Sequence, residues 1–285
     1  MDQPLVSILI NNYNNGPWIE ACVRSALQQT YGRVEVIVYD DGSTDQSVDV
    51  LQTLAHDIKL IAASANYGAA SPNFNQAHAI YEAFCASRGQ IICLLDGDDA
   101  FMPQKVEQVV AAFQAHPNAL MVQHRFTAID AHGEVLAPVR PRKLLLPQRE
   151  GYTYAEFIQT YHCLINLFMQ TSALSFRRGF LERHLPILPD RYDKLWPDFR
   201  LSRRAAFEGQ VVTLLQPLAY YRLHHNNWIH QLKGGFQREL VRQAYAWVNE
   251  NCLDDTQQLN YFVYRMYKWI SPIFWRYRWQ KLRYD

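Results

Sequence analysis

The sequence has few cysteines and no long apolar run. Its five cysteines are an odd number and include no Cys-x-x-Cys pair, which disfavours a disulfide framework or a cysteine-rich zinc site. A reducing, cytoplasmic environment is therefore expected. No window reaches the roughly 18 apolar residues that a membrane-spanning helix requires, so none is predicted. The N-terminus has an acidic second residue and a short apolar run, which does not fit a signal peptide.

An excess of one charge is also missing. The 285 residues include 28 Lys and Arg against 27 Asp and Glu, for a net charge of +1, which argues against a general nucleic-acid binder. Hydrophobic residues make up 49% of the chain, which is typical of a globular protein and excludes disorder as its main state. The length predicts one large domain or two modest ones.

Short apolar runs alternate with helix-like stretches through the first half of the chain. This order predicts an α/β fold with a mostly parallel, Rossmann-type sheet flanked by helices. The predicted strands of this half are 5–10, 34–39, 59–63, 90–95 and 119–124. Helices are expected after a Ser43–Gln46 capping box, at Ser71–Pro72, at Pro103 and near Pro197. Further strands are predicted at 171–176, 211–215 and 218–224, an exposed loop at 138–149, and a helical extension from 236.

Three of the predicted strands end in polar or acidic sequences: NNYNN, DDGSTD and DGDD. Parallel sheets bind ligands at the carboxyl ends of their strands. Asp96 and Asp98 are two residues apart and can face one crevice, where a divalent cation would relieve their repulsion. The alternative is an acidic turn that caps the next helix. Asp40 and Asp41 can accept hydrogen bonds from a base or ribose, or can simply form a turn.

The combined motifs resemble those of family 2 glycosyltransferases, which have the GT-A fold. The match runs from residue 5 to residue 228, and its motifs occur in the family's order and spacing. They are VSILINNYNN at 6–15, DDGSTD at 40–45, NYG at 66–68, CLLDGDD at 93–99, WPDF at 196–199 and YYRLH at 220–224. The resemblance implies transfer of a sugar from a nucleotide diphosphate sugar, assisted by Mn²⁺ or Mg²⁺.

The same resemblance implies roles for individual residues. Asp98 would hold the metal, and Asp198 would be the catalytic base. Apart from the resemblance, His224 could also ligate the metal if 218–224 is a strand, although His225 competes with it for the inward position. The expected nucleotide-binding residues are Asn12, Tyr13, Asn14, Asp40, Asp41, Asn66, Gly68 and Asp96. Asn75, Asp99 and Arg222 are expected donor or phosphate contacts. A surface strand end is the alternative for Arg222 and His224, and a helix-start acid is the alternative for Asp198.

The sequence departs from the family pattern in three places. Asn11 and Asn12 replace the usual Pro-Thr, and the segment after NYG has Asn73 and Asn75 where an Arg is often found. The Q-x-x-R-W motif of processive members is absent, which predicts transfer of one sugar per event. A single base with direct attack predicts inversion at the anomeric carbon. The resemblance favours a UDP-sugar or a dTDP-sugar as donor and a glycan or lipid-linked sugar as acceptor, as in surface polysaccharide assembly.

Residues 265–285 are rich in Lys, Arg and aromatic side chains. Such a helix can lie on an anionic membrane at the inner face, or can pack on the protein or on a partner chain, which leaves a homodimer open. The expected division is a nucleotide-sugar half at 1–125, an acceptor half with the base at 126–235, and the extension at 236–285.

Other functions compete with sugar transfer. A sugar-nucleotide nucleotidyltransferase would need a Gly-rich basic loop after the first strand, and a dehydrogenase would need G-x-G-x-x-G there; neither is present. A non-catalytic nucleotide- or glycan-binding protein of the same fold is the second alternative. The presence of Asp41, Asp96, Asp98 and Asp198 together argues against this alternative.

Overall fold

The computed structural model describes residues 3–69, 71–136, 154–164, 168–224 and 235–270. The strands are β1 (Val6–Asn12), β2 (Val34–Asp40), β3 (Lys59–Ala62), β4 (Ile91–Asp96), β5 (Ala100–Phe101), β6 (Ala119–Ile129), β7 (Leu174–Arg177) and β8 (Gln210–Arg222). The helices are α1 (Gly16–Leu27), α2 (Ser47–Thr53), α3 (Pro72–Cys85), α4 (Lys105–Ala115), α5 (Tyr154–Tyr161), α6 (Arg178–His184), α7 (Pro197–Glu208), α8 (Gly235–Asn251) and α9 (Tyr261–Ile270).

The strands form one sheet in the order β3-β2-β1-β4-β7-β6-β8-β5. The first four in this order are parallel to one another, and β6 is parallel to β8. β7 is antiparallel to both of its neighbours, and β5 is antiparallel to β8. The predicted fold class, a mostly parallel sheet flanked by helices, is confirmed.

The core lies on both faces of this sheet. Successive side chains of a strand point to opposite faces, so in β1 Leu9 packs into one apolar cluster while Ile8 and Ile10 pack into the other. All three are almost completely buried. A strand covered on both faces needs a continuous apolar run, which is why the central strands have no alternating polar residues. Apart from Ser7 in β1 and Glu35 in β2, which bond to each other, the Asn and Asp residues of β1, β2 and β4 lie at the carboxyl ends.

Several predicted element boundaries are wrong. Helix α2 begins at Ser47, not at a Ser43–Gln46 capping box, because the Ser43 hydroxyl oxygen accepts from the Asn14 N–H at 2.9 Å and not from the Gln46 N–H. Helix α4 begins at Lys105, not at Pro103. The strands predicted at 211–215 and 218–224 are the single strand β8, whose pairing with β6 is irregular near Pro217. Proline has no N–H to donate to the neighbouring strand, which accounts for the break that the sequence suggested.

The C-terminal extension is helical as predicted, with α8 and α9. Among the described residues, no helix is both long enough and apolar enough to cross a membrane. The loop predicted at 138–149 and the tail at 271–285 lie outside the described residues.

Candidate functional site

A cavity of about 720 Å³ lies at the carboxyl ends of β1, β2 and β4. Ten of the residues that the sequence predicts for the site line it: Asn12, Tyr13, Asn14, Asn66, Asn75, Asp41, Asp96, Asp98, Asp198 and His224. These residues come from most of the chain's length, so the fold collects the predicted motifs at one edge of the sheet.

The loop after β1 is held to the loop after β2. Asn12 Nδ2 donates to Asp40 Oδ2 at 2.6 Å, and the Ser43 hydroxyl donates to the same oxygen at 2.7 Å. Asn14 has a left-handed backbone with φ of 54°, and its Oδ1 accepts from the Thr44 N–H at 2.8 Å. Asp40 is completely buried. It therefore sits behind the cavity wall and supports the loop, rather than lying beside a nucleotide.

Asp41 is joined to the loop that follows β3. Its carboxylate accepts from Asn66 Nδ2 at 2.6 Å and from the Tyr67 N–H at 2.9 Å. Burial raises the pKa of Asp41 above its ordinary value, although the Tyr67 N–H opposes this. Asn66 Oδ1 accepts from the Gly68 N–H and from Asn75 Nδ2, both at 2.9 Å. Gly68 was expected to bind the nucleotide, but it is solvent-exposed and is not part of the cavity lining; its φ of 72° shapes the loop instead.

Asp96 ends β4 and is held by two amides. Gln76 Nε2 donates to its Oδ1 at 2.7 Å, and the Asn11 side chain, at the paired position of β1, also bonds to it. Burial raises the pKa of Asp96 to about 7, and the charge of Asp98 adds to this rise. Gly97 permits the close approach of the two strand ends, because a Cβ there would lie 2.5 Å from Asn12 Oδ1.

Asp98 faces His224, which follows β8. His224 Nε2 lies 2.9 Å from Asp98 Oδ2, and the His224 side chain is only 5% exposed. The indole of Trp18 packs on the imidazole of His224, with ring centroids 4.3 Å apart. Trp18 is fixed in turn, because its Nε1 donates to the Ala131 carbonyl at 3.0 Å.

Asp99 and Arg222 were expected to contact the donor, but the structure places them behind the cavity lining. The Asp99 carboxylate accepts from the Ser172 hydroxyl at 2.6 Å and from the Arg222 N–H at 2.9 Å, and it is 1% exposed. The Arg222 guanidinium donates to the carbonyls of Asp98 and Asp130. Both side chains are therefore occupied in joining the acidic turn to the end of β8.

Asp198 lies in the first turn of α7, where the predicted helix begins. Its Oδ1 accepts from the Phe199 N–H at 2.6 Å, as free N–H groups at a helix start allow. Asp198 lines the cavity beside Trp196, and its charge reaches Asp96, whose pKa it helps to raise. Asp198 and the acidic turn after β4 thus face one volume.

The residues fit a divalent cation only as a partial site. No group of three His, Cys, Asp or Glu side chains within the described ranges is arranged as a complete metal site. Asp98 and His224 supply one oxygen and one nitrogen ligand within 2.9 Å of each other. Mg²⁺ is commonly held by one or two carboxylates together with substrate phosphates, so a bound diphosphate would complete such a site.

The sequence analysis missed several residues of this region, and four of them contact the predicted site residues or line the cavity beside them. Trp18, Gln76 and Tyr221 line the cavity, and Ser172 bonds to Asp99. Tyr221 belongs to the YYRLH motif and Gln76 follows Asn75, so both lay within segments already singled out. Trp18 and Ser172 carried no signal, because only the tertiary structure brings them here.

Comparison with known proteins agrees with this geometry. Residues 7–185 match the family described as "Glycosyl transferase family 2". An uncharacterized glycosyltransferase of Nostoc sp. is 31% identical over 243 residues, which cover 84% of this chain and 71% of that protein. The Escherichia coli protein named UDP-Glc:alpha-D-GlcNAc-diphosphoundecaprenol beta-1,3-glucosyltransferase WfaP is 38% identical over 106 residues, covering 37% of this chain and 40% of that protein.

Solved structures show the same fold at low identity. Staphylococcus aureus TarS 1-349 in complex with UDP-GlcNAc has a TM-score of 0.65 and 16% identity, covering 93% of this chain and 73% of that one. The mannosyltransferase PcManGT from Pyrobaculum calidifontis, in complex with GDP-Man and Mn²⁺, has a TM-score of 0.63 and 16% identity. The match covers 100% of this chain and 77% of that one. This chain belongs to glycosyltransferase family 2 and is a glycosyltransferase with the GT-A fold.

Proposed function

We propose that this glycosyltransferase is metal-dependent, inverting and non-processive. It would move one sugar per event from a nucleotide diphosphate sugar to a glycan or lipid-linked acceptor. The observation that carries the proposal is the meeting of Asp98 and His224, 2.9 Å apart, in the same cavity as Asp41 and Asp198. On this basis we assign the nucleotide-base site to Asp41, the partial cation site to Asp98 and His224, and the catalytic base to Asp198.

Asp41 and the Asn66 loop would hold the nucleotide base, with the exposed ring of Tyr13 beside them. The fixed amides around Asp41 leave a rigid polar surface that suits a pyrimidine with its own N–H and carbonyl groups. UDP is the preferred nucleotide, since TarS was solved with UDP-GlcNAc, while dTDP stays a second choice. Asp96, held by Gln76, would accept hydrogen bonds from ribose or sugar hydroxyls.

Asp98 and His224 would hold Mn²⁺ or Mg²⁺. The ion supplies Lewis-acid stabilisation of the negative charge that develops on the leaving diphosphate. Asp198 would take the proton of the attacking acceptor hydroxyl, and its position in a cavity shared with the acidic turn suits a general base. Direct attack with this one base inverts the anomeric carbon.

The acceptor proposal rests on relatives rather than on geometry. The name of WfaP gives a diphosphoundecaprenol-linked sugar as its acceptor. The chondroitin synthase of Pasteurella multocida is 30% identical over 154 residues, which are only 14% of that protein. A lipid-linked or glycan acceptor in surface polysaccharide assembly is consistent with both. The acceptor would enter from the side of Trp196 and Asp198, within the proposed acceptor half at 126–235.

Peripheral contact with the inner face of an anionic membrane belongs to the same proposal. In α9, Phe262 is 67% exposed and Met266 is 48% exposed, and Arg265 lies between them in sequence. An exposed apolar surface next to basic residues suits a lipid interface. Flotation with anionic and neutral vesicles, comparing wild type with a Phe262→Ser/Met266→Ser double variant, tests this contact; equal behaviour of the two proteins would contradict it. Gel filtration with light scattering would test for a homodimer.

The central proposal is tested by ligand-dependent thermal stability. A ligand that binds only the folded state raises Tm by mass action. UDP and UDP-sugars are expected to raise Tm with Mn²⁺ and to lose most of this effect with EDTA. Asp98→Asn should abolish the part of the Tm increase that depends on Mn²⁺. Asp255→Asn removes an exposed carboxylate between α8 and α9 and should behave as wild type.

The same screen can overturn the proposal. If no nucleotide stabilises the wild type with or without metal, the donor site is absent. The alternative of a non-catalytic binding protein is then favoured. If UDP stabilises equally with EDTA and with Mn²⁺, nucleotide binding stands but metal dependence fails. Product analysis by NMR of the new glycosidic bond then decides between inversion and retention.

A further inference from the structure

Tyr221 is a hydrogen-bond donor inside the acidic cavity that the mechanism described above does not use. It lies one residue before the end of β8 and lines the cavity together with Asp96, Asp98 and Asp198. Its ring packs on Phe126, with centroids 5.2 Å apart. The backbone is fixed as well, since β8 pairs with β6 at this position. The phenol is therefore held in place by packing and not by its hydroxyl.

The carboxylates around Tyr221 are bonded to other groups. Asp96 accepts from Gln76, Asp98 lies against His224, and Asp99 accepts from Ser172 and from the Arg222 N–H. The Tyr221 hydroxyl has no hydrogen-bond partner within the part of the chain that the structure describes. An O–H donor that lines a cavity and bonds to none of its neighbouring carboxylates is available to a ligand.

The hydroxyl keeps its proton in this environment. Burial raises the pKa of the Tyr221 phenol well above its ordinary value, and the charges of Asp99, Asp98 and Asp96 raise it further. The group is thus a neutral donor surrounded by negative charge. The neighbouring Arg222 guanidinium is not available for the same role, because it donates to the backbone carbonyls of Asp98 and Asp130.

We propose that Tyr221 donates a hydrogen bond to an oxygen of the donor's terminal phosphate, the phosphate that becomes the leaving group. This inference rests on the proposed function. Asp98 and His224 place the diphosphate at the end of β8, and Tyr221 is three residues before His224 on the same chain segment. The phosphate oxygens are the strongest acceptors that a nucleotide sugar brings into the cavity.

In the transfer step, the bond between the anomeric carbon and the phosphate oxygen breaks and its electron pair stays on the phosphate. The acceptor oxygen forms the new bond, and its proton passes to Asp198. Tyr221 transfers no proton. The hydrogen bond that it donates strengthens as charge builds on the phosphate oxygen, so Tyr221 stabilises the leaving group more than the bound substrate.

Tyr221→Phe is the decisive variant because it removes one oxygen and keeps the ring on Phe126. Affinities for UDP and UMP are compared by titration calorimetry with Mn²⁺, for wild type and variant. Loss of a hydrogen bond to a charged group is expected to weaken UDP binding about 10- to 100-fold. UMP, which lacks the terminal phosphate, should bind both proteins equally, so the ratio of UDP to UMP affinity should fall.

Tyr220→Phe is the matched control. Tyr220 is the preceding residue of β8, is also half-buried, and its side chain leaves the strand on the opposite face. The control should keep the wild-type ratio. A role of Tyr221 in folding alone would weaken UDP and UMP equally and leave the ratio unchanged, which would overturn the inference. A variant that binds both ligands as wild type does, but needs more acceptor, would also overturn it.

Failure of the proposed function gives a different result. In that case the wild type itself binds neither UDP nor UMP, and the comparison of variants does not arise. If the wild type binds UDP in a Mn²⁺-dependent way and the Tyr221→Phe ratio is unchanged, the donor site stands and the assignment of Tyr221 is wrong.

Discussion

The indole ring of Trp18 packs on the imidazole ring of His224, with their centroids 4.3 Å apart and their planes inclined by 32°. Trp18 belongs to α1, near the start of the chain, and His224 follows β8. His224 also faces Asp98 at 2.9 Å. The contact therefore connects the first helix to the proposed cation site and holds the imidazole in one orientation.

Trp18→Leu should weaken the effect of Mn²⁺ on UDP-dependent stabilisation without removing nucleotide binding. An aromatic pair contributes about 0.5–1.5 kcal/mol beyond its buried area, so the Mn²⁺ concentration that half-saturates UDP-dependent stabilisation should rise about 2- to 10-fold. UDP binding in EDTA should not change. Phe262→Leu, an exposed aromatic on α9, serves as the control. An unchanged Mn²⁺ midpoint in Trp18→Leu would mean that His224 does not depend on this contact.

Asp198→Asn should separate binding from chemistry. The amide keeps the shape of the side chain but cannot take a proton, so turnover should fall about 10²- to 10⁴-fold. UDP affinity should stay within about twofold, because Asp198 is assigned to the acceptor hydroxyl and not to the nucleotide. Asp193→Asn changes another acid of the same cavity and should retain far more activity. Near-normal turnover in Asp198→Asn would assign the base elsewhere.

His124 makes stability depend on pH. It is completely buried in β6, and burial lowers its pKa to about 3, with the charge of Lys105 adding to this. An unfolded histidine has a pKa of about 6.5, so the unfolded chain binds this proton first as pH falls. The free energy of unfolding should therefore decrease from pH 6.5 toward pH 3, by about 1.4 kcal/mol per pH unit from this residue alone.

Urea unfolding at several pH values measures this loss. His124→Asn keeps a donor for the Arg125 carbonyl and removes the titrating ring, so its stability should fall less steeply with acid. The matched control is His56→Asn, because His56 is exposed and should leave the wild-type slope unchanged. Parallel slopes for wild type and His124→Asn would show that the ring is not kept neutral.

Gly42 joins Asp41 to the rest of the DDGSTD turn and should not tolerate a side chain. Its φ is +68°, and a Cβ would lie 2.3 Å from the Ala65 carbonyl carbon and 2.5 Å from the Asn66 nitrogen. Gly42→Ala should cost about 2 kcal/mol or more of stability, since the left-handed conformation alone costs about 1–2 kcal/mol. UDP binding should weaken too, because the Asn66 loop must move away from Asp41.

Gly179→Ala is the comparison for this change. Gly179 lies in α6 with nothing within 4 Å of its Cβ position, so alanine there should be neutral or stabilising by up to about 1 kcal/mol. Thermal unfolding of the two variants, with and without UDP, measures both effects. Equal stability of Gly42→Ala and Gly179→Ala would contradict the close packing of the turn.

The sequence was a good guide to the fold where local patterns were strong. Apolar runs of five to seven residues, each ended by Asn or Asp, correspond to β1, β2 and β4. The start of α7 at Pro197 was also predicted, because proline fits the first turn of a helix. The Ser43–Gln46 capping box was a wrong prediction, since the Ser43 hydroxyl oxygen accepts from the Asn14 N–H, 29 residues away, and not from an N–H of the helix start. Such competition between partners cannot be seen in spacing.

The sequence by itself determined the alternating α/β pattern, the family motifs and the acidic strand ends, because hydrophobic periodicity and turn residues act over a few neighbouring positions. Only the tertiary structure decided which polar residues face the cavity. Asp40, Asp41, Asp98 and Asp99 are the same residue type, yet Asp41 and Asp98 line the cavity while Asp40 and Asp99 lie behind it. Trp18 and His224 meet because a sheet of eight strands brings their elements together. Contacts between residues far apart in the chain depend on how strands order and pack, and no local pattern encodes that order.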